Sequence, residues 1–307
     1  MSLPPDWLAA LEQPQLSVTS PYTLRLSLAR LLRTEDRARV ALLAGLRADT
    51  PGTAFLAAYQ VAMRFVDPDL APEQWAAFCV SEKGLRSLSS MATTLTHDTL
   101  NGLKSHALLA GHGVDWLYVV ARLSVPVSDA VPVSGSESDL GSQSDKDAVL
   151  TCVRVAPTSD GIELISSSGR QPFVPDVPHA AVRFQSVAID PGYRVDEAHP
   201  RLNRPFRYHE DMLVLIALSG WVIRQLPAAS VNPQLQASLA QVVADYRPES
   251  LGYDLADLDN FEQLAAQLVQ VSTALSGAAA QQWQRDKTLL MMGQPAREAL
   301  RQRFSAG

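Results

Sequence analysis

The chain has 307 residues and a formal net charge of −6, and this mild acidity does not suit a nucleic-acid-binding surface. Hydrophobic residues make up 47% and charged residues 19%, as in globular proteins, and the length allows two or three domains. No apolar run is long enough to span a membrane and no basic, then apolar, leader opens the chain, so we expect a cytoplasmic protein. Both cysteines, Cys79 and Cys152, lie in apolar runs and are expected to be buried free thiols.

Residues 1–75 are predicted to form a short helical N-terminal domain. Leucines recur at helical spacing between Leu24 and Leu32, and a second stripe from Val40 to Leu46 follows a polar break. The Asp-Thr-Pro-Gly sequence at 49–52 indicates a turn, and aromatic and apolar residues between 55 and 65 give a third stripe.

Residues 76–200 are predicted to form a central β domain, because short apolar runs alternate there with polar turns. The Asn-Gly pair at 101–102 is the strongest local hairpin signal, so a tight turn is expected at that point. Further strands are expected at 148–155, 161–166 and 180–189. Residues 131–147 are rich in Ser, Gly and Asp and predict a flexible exposed loop, with a phosphorylated segment as the alternative.

Residues 201–307 are predicted to form a C-terminal helical bundle. The run from Pro205 to Leu226 is apolar on several sides, as in a buried helix, and apolar residues from Phe261 to Leu275 step by three and four. The order of helices, sheet and helices predicts an α+β fold.

Three pieces of the central region also resemble the acyl-CoA dehydrogenase family. They are Phe-Cys-Val-Ser-Glu at 78–82, Asn-Gly-Leu-Lys at 101–104, and the strand at 115–122 that ends in Ala-Arg. The chain resembles a shortened, divergent member, because its helical N-terminal domain is abbreviated. The resemblance implies an acyl-CoA dehydrogenase-like fold and an FAD-dependent oxidoreductase that acts on the CH–CH group of an acyl thioester.

The resemblance also implies site residues. Ser81 keeps the hydroxyl of a strand residue that touches the flavin, and Ser87 keeps the Ser of a Gly-Ser-Asp in which Arg86 replaces the Gly. His106 replaces a Trp that packs on the flavin, and Leu108 replaces a Thr that bonds near flavin N5. The cofactor-binding positions implied by the resemblance are Phe78, Val80, Ser81, Ser87, His106 and Leu108.

The catalytic base implied by the resemblance is Glu210, because some members use a Glu on the first long bundle helix. The alternative is that Glu210 and Asp211 are first-turn carboxylates that favour the positive end of a helix. The histidines are scattered without the spacing of a metal site, and neither a phosphate-binding loop nor a nucleophile elbow is present.

Two classes of function therefore stay open from the sequence. One is the flavin-dependent enzyme, with acyl-CoA or a related thioester as its substrate. The other is a non-catalytic relative that keeps the scaffold for partner binding without flavin. The resemblance implies a homo-oligomer that associates through the C-terminal bundle.

Overall fold

The computed structural model describes residues 3–85, 87–108, 113–124, 149–166, 171–227 and 232–306, without the side chains of 89 and 166. The loop predicted at 131–147 lies outside these residues. The chain divides by its contacts into two compact units. The helical unit contains Met1–Trp75, Gly169–Val177 and Arg204–Gly307, and the sheet unit contains Ala76–Ser168 and Pro178–Asn203. The three-domain division at 1–75, 76–200 and 201–307 stays a prediction.

The helical unit draws its helices from both ends of the chain. They are α1 (Pro5–Glu12), α2 (Pro21–Thr34), α3 (Arg37–Arg47), α4 (Pro51–Val66), α5 (Arg204–Gln225), α6 (Pro233–Asp245), α7 (Leu255–Val271), α8 (Gly277–Asp286), α9 (Thr288–Met291) and α10 (Gln294–Ala306). No helix in the described residues is long and apolar enough to cross a membrane.

Local sequence signals account for several helix starts. The side chain of Asp36 accepts a hydrogen bond from the Arg39 amide and caps α3, and Pro51 occupies the first position of α4. A reciprocal capping box between Asp254 and Asp257 begins α7. Helices α3 and α7 therefore begin where a capping side chain satisfies an amide that has no partner inside the helix.

Helices α3, α4 and α5 form the core of the helical unit. Every residue of α4 except Phe65 is buried, so this helix is enclosed by its neighbours. A Cβ added at Gly45 of α3 would lie 2.1 Å from the carbonyl oxygen of Ala217 in α5. A glycine is therefore required for α3 and α5 to approach this closely.

In its described residues, the sheet unit contains one sheet of eight strands. They are β1 (Ala76–Cys79), β2 (Thr94–Thr96), β3 (Thr99–Leu108), β4 (Trp116–Leu123), β5 (Leu150–Val155), β6 (Ile162–Ser166), β7 (His179–Ala188) and β8 (Arg194–Asp196). The order is β6-β7-β3-β2-β4-β5-β8, and β1 pairs with β4 in parallel. β2 pairs with the last residues of β4, so β1 and β2 border successive parts of that strand.

The hairpin expected at the Asn-Gly pair is wrong. The chain reverses at His97 and Asp98, between β2 and β3, whereas Asn101 and Gly102 lie inside β3 at a shift in its register with β7. A Cβ at Gly102 would lie 2.5 Å from Oγ1 of Thr93, so this glycine permits a close approach within the sheet. At this turn the backbone of His97 adopts a left-handed conformation with a φ of 52°.

The cysteines agree with the sequence. Cys79 in β1 and Cys152 in β5 are buried free thiols. Burial raises the pKa of the Cys79 thiol to about 12, so this thiol stays protonated at neutral pH.

Candidate active site

In the sheet unit, two segments that carry predicted cofactor-binding residues lie side by side. The carbonyl oxygen of Ser81 accepts a hydrogen bond of 2.8 Å from the amide of Ser105, which joins the end of β1 to β3. Phe78 in β1 is buried, and Val80 directly after the strand is half-buried. His106 follows Ser105 in β3, so the structure brings the strand positions 78–81 close to position 106.

The predicted cofactor-binding residues differ in exposure. Ser81, Ser87 and His106 are exposed, whereas Leu108 at the end of β3 is buried. The Nδ1 atom of His106 lies 2.9 Å from the hydroxyl of Ser105, which orients the imidazole. A register shift between positions 104 and 107 interrupts the alternation of β3, which is why positions 106 and 108 differ in burial.

A buried ion pair that the sequence reasoning missed fixes this region. Lys104 is fully buried, and its Nζ lies 2.8 Å from Oε1 of Glu82 and 3.2 Å from the carbonyl oxygen of Val80. The two carboxylate oxygens of Glu82 also accept hydrogen bonds from the amides of Ala92 and Thr93. Both charged residues stand in the motifs at 78–82 and 101–104, so their opposite charges were an available signal.

The pKa values of Lys104 and Glu82 are both lowered, but for different reasons. Burial lowers the pKa of the Lys104 ammonium, against the raising effect of Glu82. Burial acts to raise the pKa of Glu82, but hydrogen bonds from Lys104, Thr93 and Ala92 lower it overall. The hydrogen bonds that Glu82 accepts offset the free-energy cost of burying its charge.

In the helical unit, the predicted base Glu210 lies in the second turn of α5. Its side chain is half-buried, and no hydrogen bond or ion pair joins it to another residue in the described part of the chain. Some solvent reaches the side chain even though protein surrounds the carboxylate. Burial raises the pKa of Glu210 to about 7; Arg207 lowers that pKa and Asp211 raises it.

The alternative that Glu210 and Asp211 are first-turn carboxylates is wrong. Helix α5 begins at Arg204 and has no acidic residue in its first turn. A π-helical turn at His199–Asn203 precedes it in the chain, so the positive end of α5 is not where these carboxylates lie.

Asp211 has a different environment from its neighbour. Its carboxylate lies 3.0 Å from Nε of Arg207 and 2.7 Å from Nη1 of Arg297, and it accepts a 3.0 Å hydrogen bond from the hydroxyl of Tyr253. Asp211 and Arg297 are both buried. Two adjacent carboxylates on one helix therefore differ: one is paired several times, and the other has no partner among the described residues.

His209, also on α5, is a core residue. It is fully buried and stacks on Phe65 with 4.2 Å between the ring centroids. Its Nε2 lies 2.9 Å from the carbonyl oxygen of Ser250 and must donate, so Nδ1 accepts the hydroxyl proton of Tyr246 at 2.7 Å. Burial lowers the pKa of His209 to about 4, so the imidazole is neutral at pH 7.

No protein-family model and no curated protein matches the sequence. Solved structures do match. The prolyl acyl carrier protein oxidase AnaB has 12% sequence identity and a TM-score of 0.63, and the alignment covers 94% of this chain and 90% of AnaB. A glutaryl-CoA dehydrogenase from Mycobacterium smegmatis in complex with FADH2 has 11% identity, a TM-score of 0.60 and coverage of 94% and 84%. The FAD complex of PigA has 13% identity, a TM-score of 0.53 and coverage of 94% and 87%. The predicted acyl-CoA dehydrogenase-like α+β fold is confirmed.

Proposed function

We propose that this protein is an FAD-dependent oxidoreductase that dehydrogenates the CH–CH group of an acyl thioester, with Glu210 as the catalytic base. One observation carries the proposal: Glu210 is a half-buried carboxylate without an ion pair in the described residues, and its pKa is raised to about 7. A general base is most effective when its pKa lies near the working pH. A carboxylate that only stabilised the helix would not require this costly environment.

The chemistry of the available side chains fits a flavin. Ser81, Ser87 and His106 are exposed polar residues, and Phe78 and Val80 would supply apolar contact. Leu108 contributes no hydrogen bond, so fewer polar contacts hold the cofactor. When bound, FAD supplies the acceptor for a hydride from the β-carbon of the acyl group.

Glu210 performs the proton step of this reaction. Its carboxylate removes a proton from the α-carbon, while the β-carbon loses a hydride, and a carbon–carbon double bond forms between the two atoms. The thioester carbonyl acidifies the α-proton, and a base in a partly desolvated position accepts it with less reorganisation of water. The carrier of the thioester is CoA or a carrier protein; AnaB is named as an oxidase of a carrier-protein substrate.

The test combines cofactor binding with a variant of the base. The purified wild-type protein is examined for a flavin spectrum and titrated with FAD, and its turnover of a panel of acyl-CoA thioesters is followed with an artificial electron acceptor. We expect Glu210→Gln to bind FAD as the wild type does and to lose at least about 100-fold in kcat. The control is Glu12→Gln, which changes an exposed carboxylate at the end of α1.

Three results would overturn parts of this proposal. A protein without flavin that does not bind added FAD would favour the non-catalytic scaffold. Full activity of Glu210→Gln would assign the base to another residue. Loss of FAD binding in that variant would indicate that Glu210 supports the fold of the site and not the proton step.

We also propose that the protein forms a homo-oligomer through its C-terminal helices. A groove of about 920 Å³ lies between α7 and the α9–α10 segment, and its lining includes the apolar residues Ala265, Ala266, Val269, Leu290 and Met291. Val269 and Met291 are 45% and 55% exposed and line the same groove, so they belong to one contiguous apolar surface of the kind that a partner covers. A second copy offers the same combination of an apolar groove, protruding apolar side chains and charges of both signs.

Sedimentation equilibrium tests the oligomer with Val269→Asp, and Tyr22→Asp serves as the control. Tyr22 is an exposed apolar side chain on α2, outside the groove. We expect Val269→Asp alone to dissociate the assembly. A monomeric wild-type protein would refute this part of the proposal without affecting the assignment of Glu210.

A further inference from the structure

The position of Arg207 raises a question about Glu210. Arg207 precedes Glu210 by three residues on α5, a spacing that brings side chains together on one face of a helix. Nevertheless its Nε lies 3.0 Å from Oδ1 of Asp211, four residues further along the chain, and no ion pair with Glu210 forms in the described structure. The nearest available cation is therefore engaged by the neighbouring carboxylate.

Residues outside α5 hold Asp211 in place. Arg297 of α10 donates to Oδ2 of Asp211, and its other terminal nitrogen donates to the carbonyl oxygen of Leu290 at 2.6 Å. Tyr253, from the segment before α7, donates its hydroxyl proton to the same Oδ2 atom. Because these donors come from two separate segments, the carboxylate of Asp211 cannot rotate away without breaking several buried contacts.

A glycine permits this arrangement. A Cβ at Gly293 would lie 2.4 Å from both Oδ2 of Asp211 and Nη1 of Arg297, and 2.7 Å from Nη2 of Arg207. The backbone at Gly293 therefore lies next to all three charged groups. Only glycine, which has no side chain, fits at this position. The cluster of Arg207, Asp211 and Arg297 is built from α5, α10 and the residue before α10.

We propose that Asp211 is a positioning residue for the reaction: it holds the guanidinium of Arg207 away from Glu210 and so leaves the Glu210 carboxylate free to accept a proton from the substrate. This inference rests on the proposed role of Glu210. A carboxylate in a bidentate pair with arginine is a poor base, because its lone pairs are already occupied. Engagement of Arg207 by Asp211 prevents that pair.

The electrostatics of the cluster agree with this role. The charged groups that act on Glu210 in the described residues are Arg207 and Asp211, and Arg297 and Tyr253 act through Asp211. Against the lowering effect of burial, Asp211 raises the pKa of Arg207 first and Glu210 does so second. The stronger partner of this arginine is therefore Asp211.

The experiment measures the titration of Glu210 directly, without an assay of activity. Side-chain carboxyl signals of 13C-glutamate-labelled protein are followed by NMR from pH 4 to 9, and Glu210→Gln identifies the signal of Glu210. We expect Asp211→Asn to lower the pKa of Glu210 by at least about one unit, because it removes a negative charge and frees Arg207 to pair with Glu210. We expect Arg207→Gln to raise it.

Asp259→Asn is the matched control. Asp259 is an exposed carboxylate on α7 that pairs with Arg301 of α10, so the change also removes an arginine–aspartate pair at α10 but at the surface. This variant should leave the pKa of Glu210 unchanged. In an active enzyme, the rising limb of the pH profile of kcat should move with the NMR value, to lower pH in Asp211→Asn and to higher pH in Arg207→Gln.

An unchanged pKa of Glu210 in Asp211→Asn would overturn the inference and leave Asp211 as a clamp between α5 and α10. If Asp211→Asn does not fold, Arg207→Gln decides, because Arg207 is only partly buried. A rise of less than about one unit in the pKa of Glu210 is expected if Asp211 already holds Arg207 away, and a larger rise would show that Arg207 pairs with Glu210 and would refute the inference. The proposed function fails separately. Shifted NMR values together with full activity of Glu210→Gln would support the electrostatic arrangement and reject the catalytic role.

Discussion

Replacing Glu210 by glutamine should stabilise the protein at alkaline pH. The pKa of Glu210 is raised from 4.5 to about 7. A raised carboxyl pKa means that the folded state favours the protonated form. The stability that comes from protonated Glu210 is therefore fully present below the pKa of the unfolded state and is lost as pH rises through 7. This raised pKa corresponds to a loss of about 3 kcal/mol of unfolding free energy at pH 8 and above.

Urea denaturation of wild type and Glu210→Gln at half-unit steps from pH 4.5 to 8.5 measures this effect. The difference in unfolding free energy between the two proteins should be small at pH 4.5, grow by about 1.4 kcal/mol per pH unit up to pH 7, and then level off. The same series with Glu12→Gln gives the baseline for an exposed carboxylate. A difference that stays constant across this range would refute the raised pKa and the argument for a base at this position.

The unfolding free energy of the wild type has to be compared with that of Glu210→Gln at each pH, because the titration of His209 changes stability in the opposite direction. Burial lowers the pKa of His209 from 6.5 to about 4, so the folded state disfavours the charged form. The stability that depends on neutral His209 is present above pH 6.5 and is lost as pH falls towards 4. Between pH 4.5 and 6.5 the contributions of these two adjacent residues to stability offset each other, so the wild-type curve alone does not report the titration of Glu210.

Three further changes test the scaffold. His209→Gln should lower stability at neutral pH and abolish the loss of roughly 3 kcal/mol expected between pH 6.5 and 4, as measured by urea titration at each pH. Lys104→Met should cost about 3–5 kcal/mol in the same assay by leaving Glu82 buried without its cation, and adding Glu82→Gln should recover part of this loss; an additive double variant would contradict the pairing. Gly45→Ala should lower stability by at least about 1–3 kcal/mol in a thermal melt because its Cβ meets the carbonyl of Ala217, and an unchanged Tm would mean that α3 and α5 are further apart.

The order of elements could be predicted because it depends on periodicity alone. Helical stripes, alternating strands and the two buried thiols are local patterns, and the structure contains each of them. The hairpin prediction at the Asn-Gly pair was wrong because glycine occurs in a sheet for two different reasons. It forms tight turns, and it also permits the close approach of a neighbouring segment. At Gly102 the reason for glycine is the proximity of Thr93, a contact that depends on the neighbouring strand and not on the local sequence.

The candidate site was predicted only in part for a similar reason. The family resemblance pointed to Glu210, but the pKa of this residue also depends on which carboxylate Arg207 contacts. Arg207 contacts Asp211, whose carboxylate also binds Arg297, 86 residues away in the chain. The helical run predicted from Pro205 agrees with the observed start of α5 at Arg204, and this start leaves Glu210 in the second turn of the helix.

The enclosed position of α4 has a consequence for synthesis of the protein. All of this helix except Phe65 is buried in the folded chain, yet α5, which packs on it, begins roughly 140 residues later. At a translation rate of about 5–20 residues per second, an apolar helix waits on the order of 10–30 s for its partner. The strands of the sheet unit are synthesised during that interval, so the face of α4 that α5 covers stays without this partner while they emerge. Binding of a ribosome-associated chaperone is therefore expected to concentrate on residues 51–66.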